Sequence, residues 1–257
     1  MLDFRLSLTR RIAAGLLCLL ATTGAWADDL RPHEITYHTT FKGFSAGDLR
    51  LSLSRDVAAD NWVYETRAFP SFLASLIVNP ESLERSWFRV TSQGVQPKRY
   101  ALTDGGHDPA HQSDLTYDWS RNRISGKVDG KPYDAALEPN QQDVNTIRLA
   151  PVVDLLAGRE PGEYALLDGR EVKHYVYPKQ GTAKLQTELG ELDTVIYESQ
   201  RKNYDGTGRT WRYWFAPSLG WLPVRIEQRE DGRARLTFTV RTLKWTGAAA
   251  PAHPTGD

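Results

Sequence analysis

Hydrophobic and polar residues alternate along most of the chain after residue 30. Alternation with a period of two residues is typical of strands with one buried face and one wet face, as in antiparallel sheets. About ten to twelve such strands fit the pattern. The clearest apolar positions of the alternating runs are Ile35, Tyr37, Leu49, Leu51, Leu53, Trp62, Tyr64, Trp211, Tyr213, Phe215, Leu222, Val224, Ile226, Leu236, Phe238 and Val240.

Short turn signals separate these runs. Asp129-Gly130, Asp168-Gly169 and Asp231-Gly232 are dipeptides that favour tight hairpin turns. No fixed repeat and no internal linker rich in proline and glycine divides the chain. The sequence therefore predicts a mainly β fold, with one large, curled, antiparallel and half-barrel-like sheet.

Two apolar segments depart from the alternation. Residues 71–78 (SFLASLIV) and residues 143–157 carry apolar side chains at helical spacing. Asp143 is the expected N-cap of the second helix and Gly158 its expected C′ residue, while Pro151 requires the helix to kink or restart. We expect two short apolar helices on the concave side of the sheet.

The apolar faces of these two helices are the predicted ligand-binding residues. A curled sheet of this size can enclose a small ligand, and helices on its concave side would line the cavity. In the alternative interpretation, the helices only complete a solid core. The predicted lining residues are Phe72, Leu73, Leu76, Ile77, Val152, Val153 and Leu156.

The N-terminal segment has the three parts of a secretory signal peptide. Basic residues, among them Arg10 and Arg11, precede a short apolar stretch over Ile12–Leu20, and Ala25-Trp26-Ala27 matches the small-x-small cleavage pattern. The stretch is shorter than the roughly 20 residues that span a bilayer, and no later segment is apolar enough to do so. The sequence predicts export to the periplasm.

Three segments follow from this organisation. Residues 1–27 are the signal peptide, residues 28–246 form a single β-rich domain, and residues 247–257 are expected to be a disordered tail rich in alanine, proline and glycine. The chain has one cysteine, Cys18, which lies within the signal peptide. The exported chain would therefore contain no disulfide bond.

Charge and composition narrow the function classes. Lys+Arg and Asp+Glu both number 32, so the net charge of zero gives no basic surface for nucleic acid. The sequence has no phosphate-binding glycine loop and no dinucleotide fingerprint, and no cofactor or metal is predicted.

Three weaker candidates for chemistry each have a simpler interpretation. Residues 43–47 match the G-x-S-x-G pattern around Ser45, but strands on both sides indicate a hairpin rather than a nucleophile elbow. Asp104, His107, Asp108, His111 and Asp114 could hold a metal, but the glycines and proline among them indicate a solvated surface loop, which is the simpler interpretation. Three acidic residues, Glu188, Glu191 and Asp193, could pair with a distant acid for glycoside hydrolysis, but they flank a predicted hairpin turn, where solvated charges are the simpler interpretation.

Three elements together resemble a bacterial family of unknown function, domain-of-unknown-function family 3108. They are the opening hairpin at residues 43–47, Gln142-Asp143 before an apolar helix, and the run WFAPSLGWLPVRIE at residues 214–227. The resemblance spans about residues 30–245. It implies a periplasmic β-rich protein with no assigned activity and no catalytic residues, with a curved sheet similar in shape to that of the periplasmic lipoprotein carriers.

The leading hypothesis is a non-catalytic envelope protein that binds a lipid, an acylated partner or another amphiphile. The alternatives are a structural or protein-interaction module with a solid core, and a hydrolase acting on envelope glycans or lipids. A cavity on the concave side would favour the first hypothesis, and a dry, packed interior would favour the second.

Export predicts a defined N-terminus. N-terminal sequencing of protein recovered from the periplasmic fraction should begin at Asp28-Asp29-Leu30, because signal peptidase cleaves after the small-x-small pattern. A retained Met1 in that fraction would contradict the prediction.

Overall fold

The computed structural model describes residues 30–76, 79, 81–103, 105 and 112–247. Strands account for 64% of these residues and form one curled sheet of 16 strands that does not close into a barrel. The mainly β, half-barrel-like fold predicted from the alternation is confirmed. The predicted signal peptide and all but the first residue of the predicted C-terminal tail lie outside the described residues.

The sheet is built largely from hairpins. The strands are β1 (His33–Phe41), β2 (Phe44–Asp56), β3 (Asn61–Pro70), β4 (Leu83–Thr91), β5 (Gly94–Thr103), β6 (Ser113–Asp118), β7 (Arg123–Val128), β8 (Lys131–Ala136), β9 (Gln141–Gln142), β10 (Tyr164–Asp168), β11 (Glu171–Val176), β12 (Lys179–Thr187), β13 (Gly190–Arg201), β14 (Arg209–Ala216), β15 (Leu222–Glu230) and β16 (Arg233–Trp245).

The first and last strands are neighbours at the middle of the sheet. The order is β8-β7-β6-β5-β4-β3-β2-β1-β16-β15-β14-β13-β11-β10-β9, with β12 paired to β13 beside β11. Every neighbouring pair is antiparallel except β9 and β10, which are parallel. The pairing of β1 with β16 joins the two ends of the chain into one continuous curved surface.

One face of the sheet, here called the inner face, carries the core. Alternating side chains such as Tyr37, Leu51, Phe88, Phe215 and Val224 are buried there. A second, smaller cluster around Ile124 lies under β5–β8. Most side chains on the opposite face are polar, as the period of two requires, and its tryptophans Trp87 and Trp214 lie beneath arginine side chains.

Residues 146–156 form one bent helix of 11 residues that covers part of the inner face. A 3-10 turn over Thr146–Arg148 leads into α1 (Ala150–Leu156). Pro151 lies in the first turn of α1, where its missing N–H is not needed, so the helix restarts there. Gly158 has a φ of 69° and its N–H is 3.0 Å from the Leu155 carbonyl oxygen, the geometry of a glycine that ends a helix.

The other apolar segment lies at the end of the sheet. Its only regular structure in the described residues is a 3-10 turn over Ala74–Leu76. Phe72, Leu73 and Leu76 are between 74% and 82% exposed, so they do not contact the inner face. Two causes favour this result: so short a segment cannot form a stable helix on its own, and the Ser71 N–H bonds the Ala46 carbonyl of β2 at 3.0 Å, which holds the segment beyond the strand ends.

The burial of the two segments predicts opposite responses to truncation. Val153 is buried and Leu76 is exposed. Val153→Ala should lower the free energy of unfolding by about 1–3 kcal/mol, because it removes two buried methyl groups. Leu76→Ala should change it by no more than about 0.5 kcal/mol, as expected at an exposed site. Chemical denaturation of both variants measures the difference, and equal costs would contradict it.

A cleft on the inner face and its buried polar anchor

A cleft with a volume of about 630 Å³ opens on the part of the inner face that α1 leaves uncovered. Strands from both halves of the sheet contribute to it, and residues 144–148 form one wall. Its lining residues are Leu49, Leu51, Val144, Ile147, Arg148, Leu166, Asp168, Lys173, Tyr175, Tyr177, Ser199, Arg201, Asn203, Tyr204, Asp205, Thr207, Gly208, Arg209, Trp211, Tyr213, Ile226, Gln228 and Phe238.

The deeper walls of the cleft are aromatic and aliphatic. Trp211 stacks on Phe238 with ring centroids 6.4 Å apart, and Tyr213 lies 6.0 Å from Tyr177. Burial raises the pKa of Tyr213 to about 12, so this phenol is neutral at physiological pH. The cleft therefore offers an apolar surface with a few hydroxyl groups, the usual composition of a small-molecule site.

The mouth of the cleft is charged. Two of its carboxylates already accept hydrogen bonds from neighbouring side chains, whereas one arginine has no partner in the part of the chain that the structure describes. Asp168 accepts a 2.5 Å hydrogen bond from Lys173, and Asp205 accepts hydrogen bonds from the backbone and hydroxyl of Thr207. Arg201 is exposed and makes no ion pair or hydrogen bond through its side chain within the described residues. An arginine in this position can bind an anionic group of a ligand.

A buried polar network holds the wall of the cleft in place. The Asp143 Oδ1 atom accepts hydrogen bonds from the backbone N–H groups of Asn145 (2.9 Å) and Thr146 (2.7 Å) and from the Ser86 hydroxyl (2.8 Å). Asp143 therefore accepts from backbone N–H groups at the start of the 3-10 turn, as a capping side chain does, but the N-cap position itself is occupied by Asn145, two residues later than predicted. Ser86 belongs to β4, so the same carboxylate also attaches the turn to the sheet.

Asn145 makes a second attachment, to β3. Its amide donates to the Tyr64 carbonyl oxygen at 2.9 Å, and its Oδ1 atom accepts from the Thr66 hydroxyl at 2.6 Å. The Arg148 Nη1 atom lies 3.2 Å from Asn145 Oδ1 and from the Glu84 carboxylate. Arg148 also lines the cleft, so the network fixes a cation in its wall.

The Asp143 carboxylate is completely buried, and this raises its pKa to about 6. Burial disfavours the charged form, and the hydrogen bonds to Oδ1 offset only part of that penalty. The Oδ2 atom has no partner within the described residues, and neither does the hydroxyl of Tyr117. Burial first, and then the Asp143 charge, raise the pKa of Tyr117.

The residues predicted as cavity lining occupy two different places, and the cleft is lined by others. Val152 and Val153 are buried between α1 and the sheet, and Leu156 is half-buried beside them. Phe72, Leu73 and Leu76 form an exposed group at the end of the sheet. Ile77 lies outside the described residues.

Sequence reasoning missed most of the polar network. The available signal was the polar run from Gln141 to Thr146, which interrupts the alternation directly before an apolar helix. Of this run, only Asp143 was assigned a role. Its partners on β3 and β4 come from strands 57 to 81 residues away in the sequence, which a local pattern does not reveal.

The weaker candidates have structural roles where they are described. Ser45 is exposed in β2. The backbone at Gly47 passes close to β3, where a Cβ atom would lie 2.2 Å from the Phe69 carbonyl oxygen, so this position requires glycine. Glu191 and Asp193 both face Lys184 across a hairpin.

The aspartate and histidine loop is described only in part. Asp114 forms an ion pair with Arg99 at 2.7 Å. Asp104, His107, Asp108 and His111 lie outside the described residues.

Comparison with known proteins identifies a family. A family model for a protein of unknown function, DUF3108, matches residues 36–239, which confirms the resemblance drawn from the sequence. A search of curated proteins finds no match.

Solved structures that match this chain have low sequence identity. A β-barrel-like protein of domain of unknown function DUF1849 from Brucella abortus is 11% identical, with a TM-score of 0.49, over 85% of this chain and 99% of that one. A chain of the MucA/MucB complex from Pseudomonas aeruginosa is 11% identical, with a TM-score of 0.38, over 88% of this chain and 55% of that one.

Helices in the described ranges are all too short or too polar to cross a bilayer.

Burial of Asp143 predicts a pH-dependent stability. The folded-state pKa of Asp143, about 6, exceeds the ordinary value of 3.8. The contribution of Asp143 to the free energy of unfolding is therefore fully present below pH 3.8, and it is lost as the pH rises through 6. Between about pH 4 and pH 7, wild type should lose roughly 2–3 kcal/mol of unfolding free energy relative to Asp143→Asn. The amide keeps an acceptor oxygen for the three donors and carries no charge.

Chemical denaturation at several pH values provides the measurement. Asp114→Asn, which removes an exposed aspartate, is the matched control and should keep the wild-type slope. An Asp143→Asn variant with the same slope as wild type would refute the assignment.

Proposed function

The chain belongs to the DUF3108 family of proteins of unknown function, and we propose that it is a non-catalytic, exported envelope protein that binds an amphiphilic ligand in its inner-face cleft. The observation that carries the proposal is the cleft itself, with apolar walls and a charged mouth. Its volume of about 630 Å³ lies within the usual range for small-molecule sites. A structural module with a solid core would not need such a space.

The distribution of polar groups indicates the class of ligand. Trp211, Tyr213 and Phe238 would contact an apolar chain, since their rings form part of the cleft wall. Arg201 at the mouth would bind an anionic head group, because its side chain has no partner within the described residues. A ligand with both parts, such as a fatty acid or an acidic lipid, matches this arrangement.

The groups at the mouth support binding rather than hydrolysis. Asp168 is paired with Lys173, and Asp205 caps Thr207, so both carboxylates have structural partners. Export is supported by the basic, apolar and small-x-small parts of residues 1–27, and a periplasmic location follows from it.

Filling the cleft should abolish binding of an apolar probe. Gln228 lines the cleft on β15, and its side chain makes no hydrogen bond within the described residues. Gln228→Trp should weaken binding of the fluorescent probe N-phenylnaphthylamine at least about tenfold, because the indole occupies the space. Thr237→Trp is the matched control: Thr237 faces Glu227 on the polar face, and that variant should bind like wild type.

The head-group assignment has a separate measurement. Arg201→Gln should weaken displacement of the probe by oleate about three- to tenfold, because one charge-assisted hydrogen bond at an exposed site is lost. Displacement by oleyl alcohol, which has no charge, should not change. No probe binding by wild type, or equal binding by Gln228→Trp, would overturn the proposed function.

A further inference from the structure

An exposed apolar surface lies at one end of the sheet. We call this surface the apolar tip; it consists of Phe41, Phe44, Phe72, Leu73 and Leu76, with Phe69 at the same end on the opposite face of the sheet. Phe44 is 79% exposed and Phe72 is 82% exposed, which leaves almost the whole side chain in water. Clustered apolar side chains with this exposure indicate a surface that binds something.

Several polar groups of the tip are hydrogen-bonded within the chain. The Ser71 N–H donates to the Ala46 carbonyl oxygen at 3.0 Å. The Ser75 hydroxyl donates to the Phe72 carbonyl oxygen at 2.7 Å, and the Ser75 N–H donates to the Ser71 carbonyl oxygen. These groups would not lose hydrogen bonds on leaving water, a requirement for any segment that enters an apolar medium.

The tip continues the apolar lining of the cleft. Phe238 lines the cleft and faces Thr39 of β1, while Leu236, two residues earlier and on the same face, lies opposite Phe41. Phe41 in turn lies opposite Phe44. An apolar track therefore runs from the cleft to the end of the sheet.

Cations accompany the rings of the tip. The Lys42 Nζ atom lies 5.3 Å from the centre of the Phe41 ring, and the Arg50 guanidinium lies 4.8 Å from that of Phe69. The nearby Asp48 forms an ion pair with Arg241, with Oδ2 and Nη1 3.0 Å apart. A cation beside an apolar group suits the boundary between anionic lipid head groups and acyl chains.

From the protrusion of the tip, its internal hydrogen bonding, its continuity with the cleft and these cations, we propose that the apolar tip inserts into the surface of a lipid bilayer. The occupant is the bilayer surface itself. The acidic residues Asp231 and Glu81 also lie at this end of the sheet, and they offset part of the attraction between the cations and anionic lipid. Apolar insertion therefore supplies most of the affinity, and Lys42 adds attraction to anionic lipid. The proposal goes beyond ligand binding in the cleft, since it concerns how the protein meets a membrane.

Flotation with vesicles tests the proposal. The protein recovered from expression of the full chain is mixed with vesicles of phosphatidylethanolamine and phosphatidylglycerol. The triple variant Phe44→Ser, Phe72→Ser and Leu76→Ser should lower the partition coefficient at least about tenfold, because three inserted side chains are lost. Val57→Ser changes a side chain that is 81% exposed in the turn after β2, away from the tip, and should bind like wild type.

Two further measurements keep the result specific. Lys42→Gln should weaken binding to phosphatidylglycerol vesicles and leave binding to phosphatidylcholine vesicles unchanged. No variant changes residues 1–40, so any lipid affinity of the N-terminal segment is common to them. Thermal unfolding should not change, because the substituted side chains are exposed.

Three outcomes would overturn membrane docking: no flotation of wild type, equal flotation of the triple variant, or a change in oligomeric state as the only effect of the triple variant. The last result would assign the tip to a second copy of the chain. Binding of N-phenylnaphthylamine without vesicles separates this proposal from the proposed function. A triple variant that binds the probe and no longer floats supports docking, while probe binding with equal flotation refutes docking alone.

Discussion

The buried carboxylate of Asp143 is the constraint on which the inner face of this sheet depends. It ends the strand-rich first half of the chain, caps the turn that follows and bonds Ser86 of β4. Asn145 adds the attachment to β3. A charged group in this position costs free energy, which its pKa of about 6 reflects, but it fixes the direction in which the next ten residues run.

That direction explains why the inner face has a filled part and an open part. A sheet that does not close into a barrel needs cover for its apolar side, and α1 supplies it with Val152 and Val153. The bent helix has only 11 residues, so it covers part of the face. The uncovered part is the cleft, and Arg148 from the same network stands at its wall.

The cleft and the apolar tip share one physical cause. Alternation on β1, β2 and β16 places apolar side chains on the inner face as far as the strand ends, past the last residue that the core can cover. The side chains next to the core line the cleft, and those at the ends, such as Phe41 and Phe44, remain exposed. Binding of an amphiphile and contact with a bilayer are thus two proposed uses of one continuous apolar surface.

The sequence by itself determined the sheet, the cap and the end of the helix. Period-two alternation reports directly which side chains share a face, and Asp143 and Gly158 act on backbone groups within a few residues of themselves. It did not determine the cleft, whose walls bring Leu49, Tyr175 and Phe238 together from distant strands. Nor did it determine that the segment at residues 71–76 lies outside the core, because helical spacing gives the apolar face of a segment but not the surface it meets. Those features depend on strand order and on hydrogen bonds across many tens of residues, which only the tertiary structure decides.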